Sequence, residues 1–323
     1  MTIDFTVKQP LTGMKLTKGG IKKNLTSDSE LTLKGIITKG IGGFYYVKAE
    51  NNKTYECKAR GVFRKSGLTP LPGDNVCIKV IDENEAEGFL KEILPRKSLL
   101  FRPAVANVDQ LIAVIAAKSP EPDLLLLDKL LITACKNGMK VCICINKIDL
   151  DPEKEYNKIK TAYEKAGYSV IAVSSKTGFN MDKILEMLSA HITVLAGQSG
   201  VGKSTILNTI IGNICMETGE ISEKIMRGKH TTRHAQLFEL TGGGYIVDTP
   251  GFSLLELSDI KYDELHKYYP DFNCMDETCR FRGCSHISEP GCIIKNKVEN
   301  GIIDQERYQR YIQLYNTLKQ ARK

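Results

Sequence analysis

Hydrophobic and polar positions alternate along this chain in two different rhythms. Between Leu31 and Lys97 the apolar residues fall in short runs, LTLKGIIT, GFYYVKA, KTYECKA, DNVCIKV and GFLKEIL. Turn material breaks them at Gly42-Gly43, Asn51-Asn52 and Pro72-Gly73-Asp74. Successive side chains on a strand point to opposite faces, so these runs predict short strands joined by tight turns. From residue 98 the rhythm changes. LIAVIAA (111–117), VCICINK (141–147), SVIAVSS (169–175), HITVLAG (191–197) and YIVDTPG (245–251) are nearly unbroken apolar runs ending in polar residues or glycine. Helix-like stretches at 123–137, 153–166 and 180–190 lie between several of them. Strands covered on both faces read this way, and the pattern predicts an α/β layer with a mainly parallel sheet.

The expected architecture is therefore multidomain. A flexible basic arm is expected at 1–30, a small β-barrel at 31–97, an α/β domain at 98–260 and a further domain at 261–323. Five short strands fit a closed barrel of the oligonucleotide-binding (OB) type, although any small barrel gives a similar pattern. Phe44, Tyr45, Tyr46 and Tyr55 are candidates to stack on bases, and strand alternation requires that some of them be core instead. In the last segment a cysteine-rich stretch precedes a helix in which Tyr308, Tyr311, Ile312, Tyr315 and Leu318 recur at three- and four-residue steps, a packing face.

Composition narrows the class. With 42% apolar and 26% charged residues the chain reads as globular, and no apolar run is long enough for a membrane span. The start carries no signal-peptide pattern, so a cytoplasmic protein without membrane contact is expected. The formal charge of +7 is spread unevenly: +2 over 1–30, +4 over 31–97, −1 over 98–260 and +2 over 261–323. The positive excess lies on the flanks, which suits either a polyanionic partner or a solubilising surface. Cys57, Cys77, Cys135, Cys142 and Cys144 sit in apolar stretches as reduced, buried thiols would.

Three motifs in the α/β segment point to a nucleotide. Gly197-Gln198-Ser199-Gly200-Val201-Gly202-Lys203-Ser204 fits the phosphate-binding loop, lying between an apolar run and the helix-like KSTILNTII that continues through Thr205. Its glycines let backbone amides wrap phosphate oxygens; Lys203 would reach the β- and γ-phosphates and Ser204 would bind Mg²⁺. Asn146-Lys147-Ile148-Asp149 reads the base. Guanine presents N1–H and an exocyclic amine side by side, so one carboxylate, Asp149, accepts both protons, whereas adenine leaves it unpaired. Asn146 would hold the loop, the Lys147 stem would cover the ring, and Ser174-Ser175-Lys176 looks like a second guanine loop. Asp248-Thr249-Pro250-Gly251 is the third element, with Asp248 on Mg²⁺ through water and the Gly251 amide at the γ-phosphate. One threonine of Arg227-Gly228-Lys229-His230-Thr231-Thr232-Arg233 should complete the Mg²⁺ shell.

The order of these motifs is itself informative. The usual order of a small GTPase places the phosphate loop first; here NKID and SSK precede it, so the GTPase is circularly permuted. Phe252 follows Gly251 where a water-orienting glutamine would stand, and phenylalanine cannot position water. His230 is the candidate to replace it; a purely structural or RNA-facing role is the competing reading.

Cys279-x4-Cys284-x-His286-x5-Cys292 offers three thiolates and one imidazole in a segment with few apolar residues. Such a set suits one structural, tetrahedral Zn²⁺. Cys274 is a spare that could take the place of Cys279, and disulfides or free thiols are the alternatives. Arg280 and Arg282 beside these ligands could meet phosphates.

Taken together, GFYYV, NKID, SSKTG, GQSGVGKSTILN, GKHTTR, DTPGF and CRFRGCSH…GC resemble the bacterial ribosome small-subunit-dependent GTPases, permuted GTPases with an OB barrel in front and a zinc domain behind. The resemblance runs from about residue 31 to 323, and the arm at 1–30 matches no motif. It implies a GTPase of low intrinsic activity, stimulated by the small ribosomal subunit and its rRNA, acting late in subunit maturation. It places the catalytic histidine on His230, the switch threonine on Thr232 and the zinc ligands on Cys279, Cys284, His286 and Cys292. A monomer cycling between GTP and GDP is expected. The alternatives are a GTP-switched rRNA placeholder with little turnover, and a permuted GTPase serving another ribosomal particle.

Overall fold

Strand β1 (Thr32–Ile41) pairs antiparallel with both β2 (Phe44–Ala49) and β4 (Asn75–Asp82). β2 pairs with β3 (Thr54–Ala59), β3 runs parallel to β5 (Glu87–Ile93), and β5 returns to β4. The circuit closes a five-stranded barrel, the expected OB-type arrangement. This is a computed structural model, and the residues it describes are 31–59, 63, 67–101, 104–218, 235–248, 257, 259–273 and 279–321. The arm at 1–30 lies outside them. Ile37, Val47, Tyr55, Cys57, Val76, Ile78 and Leu90 fill the barrel. Alternation sorts the aromatic candidates: Tyr55 is core and Tyr45 packs partly against it. Phe44 and Tyr46 are part-exposed, with the ammonium groups of Lys58 and Lys39 over their rings at 5.2 and 5.4 Å.

A hairpin of β6 (Leu99–Phe101) and β7 (Ala104–Ala106) follows. Six further strands then form a sheet in the spatial order β10 (Ser169–Ala172), β9 (Lys140–Asn146), β8 (Gln110–Ala116), β11 (Ile192–Ala196), β13 (Tyr245–Asp248), β12 (Gln236–Glu239). All neighbours are parallel except β12 and β13. All seven residues of β8 are buried, as its unbroken apolar run demands. Helices α1 (Leu124–Lys136) and α2 (Tyr156–Lys165) cover one face through Leu127, Leu130, Leu131 and Tyr163. Helices α3 (Met181–Leu188) and α4 (Lys203–Thr218) cover the other through Ile184, Leu188, Ile206 and Ile210. Barrel and sheet are continuous, because β1 meets β12 at Lys39 and Gln236, and Lys48 forms an ion pair with Glu239 at 2.9 Å.

The C-terminal module contains two 3-10 turns (Tyr262–Tyr268 and Pro270–Phe272), the Cys/His segment, α5 (Ile293–Glu299) and α6 (Gln305–Gln320). The predicted stripe on α6 packs as expected: Tyr308, Tyr311, Tyr315 and Leu318 are buried with Leu265, Tyr269 and Phe272, while Ile312 is only partly covered. Ile132 of α1 joins this core, so the module is seated on the α/β layer. Cys57, Cys142 and Cys144 are buried, and burial pushes the Cys57 and Cys142 thiols up to about 12 and about 11. Cys135 departs from expectation, lying exposed near the end of α1. Among the described residues no helix is long and apolar enough to cross a membrane.

Candidate functional site

A parallel sheet delivers its loops to one edge. β9 ends on Asn146, β10 runs on to Ser174, β11 leads into Gly197, and β13 ends on Asp248. The permuted order of the motifs along the chain is thus immaterial in space, since the strands are reassembled side by side.

Asn146 ties three of these loops together. It is fully buried, and its Nδ2 donates to the Val201 carbonyl at 2.9 Å and to Ser175 Oγ at 3.1 Å. Its Oδ1 accepts from the Ser175 amide at 3.0 Å. One side chain therefore joins NKID, SSK and the phosphate loop, and its amide is nearly saturated with partners. The packing explains a glycine: a Cβ on Gly202, where φ is +99°, would lie 2.3 Å from Asn146 Nδ2. Gly197 is equally constrained, since a Cβ there would meet the Val114 carbonyl of β8 at 2.0 Å.

Lys203 begins α4, and its Nζ donates to the carbonyls of Gly197 and Gln198 at 2.8 and 2.7 Å. Two of its three protons thus brace the loop, and one is left for an anionic ligand. Burial lowers the pKa of this ammonium. Ser199, Gly200, Ser204 and Thr205 are exposed at the mouth of the loop, where the amino-terminal end of α4 adds positive potential, while Val201 is buried beneath it.

In the NKID loop Asp149 is exposed and accepts a hydrogen bond from the buried Ser174 hydroxyl at 2.6 Å. The same Ser174 oxygen accepts from the Thr177 amide at 3.2 Å, so the carboxylate is aimed by a loop that is itself closed. Lys147 adopts a left-handed conformation (φ 61°), and its Nζ donates to the carbonyls of Ser119 and Gly200, the latter at 2.7 Å. Its stem crosses from the NKID loop to the phosphate loop. Lys176 is exposed beside them. Asp248 closes β13, opposite Gln236. His230, Thr231, Thr232, Gly251 and Phe252 lie outside the described residues.

The predicted metal ligands converge. One ligand atom from each of Cys279, Cys284, His286 and Cys292 lies within 4.8 Å of all the others. Cys279 Sγ and Cys292 Sγ are 4.0 Å apart, and each is 3.5 Å from His286 Nδ1. A tetrahedron with bonds of about 2.3 Å to sulfur and about 2.0 Å to nitrogen has S···S and S···N edges of roughly 3.8 and 3.5 Å, so the set fits a metal ion. Cys274, the alternative ligand, lies outside the described residues. Tyr308 and Tyr311 hydroxyls hold the carbonyls of His286 and Ser285 at 2.7 and 2.8 Å. Burial pushes the Glu289 carboxyl up, but the Ser285 hydroxyl and the amides around it prevail and hold it at about 2. Arg280 and Arg282 are exposed, and Arg280 covers the Phe281 ring at 5.6 Å.

Sequence reasoning missed two supports. Ser119, after β8, carries no motif, yet its carbonyl anchors Lys147. Asp128 and Arg307 form a buried ion pair. The signal for the first of these was an aspartate inside the apolar run LLLLDKLL.

Residues 93–258 match the family profile described as RsgA GTPase, and residues 34–89 match the RsgA N-terminal domain. A protein of Ruminiclostridium cellulolyticum named "Small ribosomal subunit biogenesis GTPase RsgA" is 58% identical over 286 residues, covering 88% of this chain and 93% of its own. A protein of Alkaliphilus metalliredigens with the same name is 46% identical over 290 residues, 90% and 99% of the two chains. Among solved structures, YjeQ from Thermotoga maritima shares 37% identity with a TM-score of 0.76, covering 89% of this chain and 99% of that one. YloQ, titled a circularly permuted GTPase, shares 37% identity with a TM-score of 0.77, covering 92% and 98%. With base-reading and phosphate loops locked together on a permuted sheet behind a closed barrel, the chain belongs to the RsgA family of GTPases.

Proposed function

We propose that this chain hydrolyses GTP to GDP and phosphate when docked on the small ribosomal subunit, and acts late in that particle's maturation. The observation that supports the reading is the Asn146 junction, which ties the NKID and SSK loops to the phosphate loop at one sheet edge. Asn146, Lys147, Asp149 and Ser174-Ser175-Lys176 bind the base. Gly197 through Thr205 and the Gly251 amide bind the phosphates. Mg²⁺, held by Ser204, Thr232 and Asp248, offsets charge on the phosphate oxygens. His230 orients the attacking water in place of the glutamine that Phe252 displaces.

Cys279, Cys284, His286 and Cys292 hold one structural Zn²⁺; the edge lengths and the donor set support that metal. The names of the relatives support the small subunit as partner, and the lysines over Phe44 and Tyr46 support rRNA against the barrel. The working division is an arm at 1–30, a barrel at 31–97, the GTPase at 98–260 and the zinc and helical part at 261–323, in a cytoplasmic monomer. GTP turnover with and without purified small subunits, for the natural chain and His230→Ala, tests the reading. Stimulation by the subunit that collapses in the variant is expected; no stimulation, or an unaffected variant, overturns it. Phe252 favours a second reading, in which GTP is mainly a conformational ligand. That reading predicts nucleotide-dependent binding to the subunit with turnover unchanged by it.

A further inference from the structure

Arg307 is the largest fully buried side chain among the described residues, and it takes no part in the chemistry proposed above. It lies among the rings of Tyr163, Tyr168 and Tyr269, at 5.1, 5.3 and 4.7 Å from their centroids. Its guanidinium donates to Asp128 Oδ1 and, at 3.1 Å, to Asp271 Oδ2. Arg310, one turn further along α6, donates to Asp128 Oδ2 at 2.6 Å and to the Tyr163 hydroxyl at 3.3 Å. Tyr163 in turn donates to Asp128 Oδ1 at 2.9 Å. Asp128 is fully buried on α1, so two cations from the C-terminal module converge on one carboxylate of the GTPase layer.

Apolar packing serves stability at least as well as such a network, because desolvating the ions costs much of what their attraction returns. What a satisfied ionic junction adds is one defined geometry between its parts. The geometry matters because of where α1 begins. The segment leading into it supplies the Ser119 carbonyl that holds Lys147, and the Ala117 amide donates to the Asn146 carbonyl at 2.7 Å. Pro120 lies beside Gly200, within 3.8 Å of where a Cβ would stand. At its other end Lys136 pairs with Asp259, where the chain has passed beyond DTPG. The helix thus meets the C-terminal module through Asp128 and the segment before that module through Lys136, and the connection leading into the helix meets the nucleotide loops through Ala117 and Ser119.

We infer that Asp128, Arg307 and Arg310 are positioning residues that transmit docking of the C-terminal module to the nucleotide loops through α1, coupling engagement of the subunit to GTP turnover. The inference rests on the small-subunit reading above. The test uses the full zinc-loaded chain with Arg307→Lys, which keeps the charge and removes the planar fork, and Arg310→Gln, at the more accessible edge of the junction. Three quantities are measured: turnover alone, affinity for small subunits with a non-hydrolysable GTP analogue, and turnover at saturating subunit.

The expected result is a subunit-stimulated kcat reduced by about tenfold, within the roughly 5–150-fold range of ordinary coupling between sites. Turnover alone and subunit affinity should stay within about twofold of the natural chain, since coupling expressed in kcat need not appear in equilibrium binding. Stimulation retained in both variants overturns the inference. So does loss that merely follows weakened subunit binding, which would make the junction part of the docking surface. If Arg307→Lys does not fold, Arg310→Gln decides alone by the same criteria. A natural chain that the subunit fails to stimulate defeats the functional reading instead, a distinct outcome.

Discussion

The candidate nucleotide loops and the Cys/His segment are built on different principles. The loops are organised by the protein itself: Asn146, Lys147, Lys203 and Ser174 spend their hydrogen bonds on neighbouring loops and hold the edge of an already packed sheet. The Cys/His segment brings three sulfurs and an imidazole into contact distance, with Cys284 and Cys292 inside the cluster that Tyr308, Tyr311 and Phe272 form. Burial pushes the Cys284 thiol up to about 12. The first set is held by hydrogen bonds between loops, whereas the second is a cluster of donor atoms suited to a metal ion.

The largest expected effect tests that contrast directly. Removing the metal with a chelator, or one ligand by Cys284→Ala, should forfeit about 10 kcal/mol or more of metal-coupled folding energy. Hydrogen exchange should show α5 and α6 losing protection while β8, β9 and β11 keep theirs. Continued protection of α6 would show that the tyrosine core suffices and would break the comparison.

Next comes the base. Asp149→Asn replaces an acceptor pair with one donor and one acceptor, which guanine cannot match but xanthine can. Calorimetry should show GDP weakened by about 1–3 kcal/mol, the usual worth of a bidentate base-edge pair, with XDP gaining in its place. Equal weakening of both would place the base elsewhere. The smallest effect belongs to Ser174→Ala, which removes the hydroxyl that aims Asp149. It should weaken guanine nucleotides by about 0.5–1.5 kcal/mol while leaving metal content and the stability of α6 unchanged. A change in the C-terminal module would mean that the two sites are less separate than their construction suggests.

How far the sequence announced these sites depends on how local their causes are. The phosphate loop, NKID and the Cys/His spacing are legible because each is a short segment whose residue types have few other uses. The barrel strands and β8 to β11 follow from alternation and from apolar runs. Sorting Tyr55 into the core and Tyr46 outward needed register, which periodicity supplies only relative to a known face. The β6–β7 hairpin is three residues a side, too short for any period to show. Ser119 and the pair Asp128–Arg307 were out of reach for a different reason. Their meaning lies in contacts between distant parts of the chain: a carbonyl has no pattern of its own, and the aspartate inside LLLLDKLL marks a charge in an apolar stretch without naming its partner.

The strand joint between barrel and sheet has a consequence for synthesis. A chain emerging from its amino terminus can complete the barrel circuit as soon as β5 is made, because all five strands are close in sequence. The far end of β1, however, finds its neighbour Gln236 only after most of the α/β layer has appeared. A nascent chain therefore carries a finished barrel whose Lys39 edge stands open during the intervening translation, a place where a foreign strand could pair. A lysine on such an edge disfavours foreign pairing.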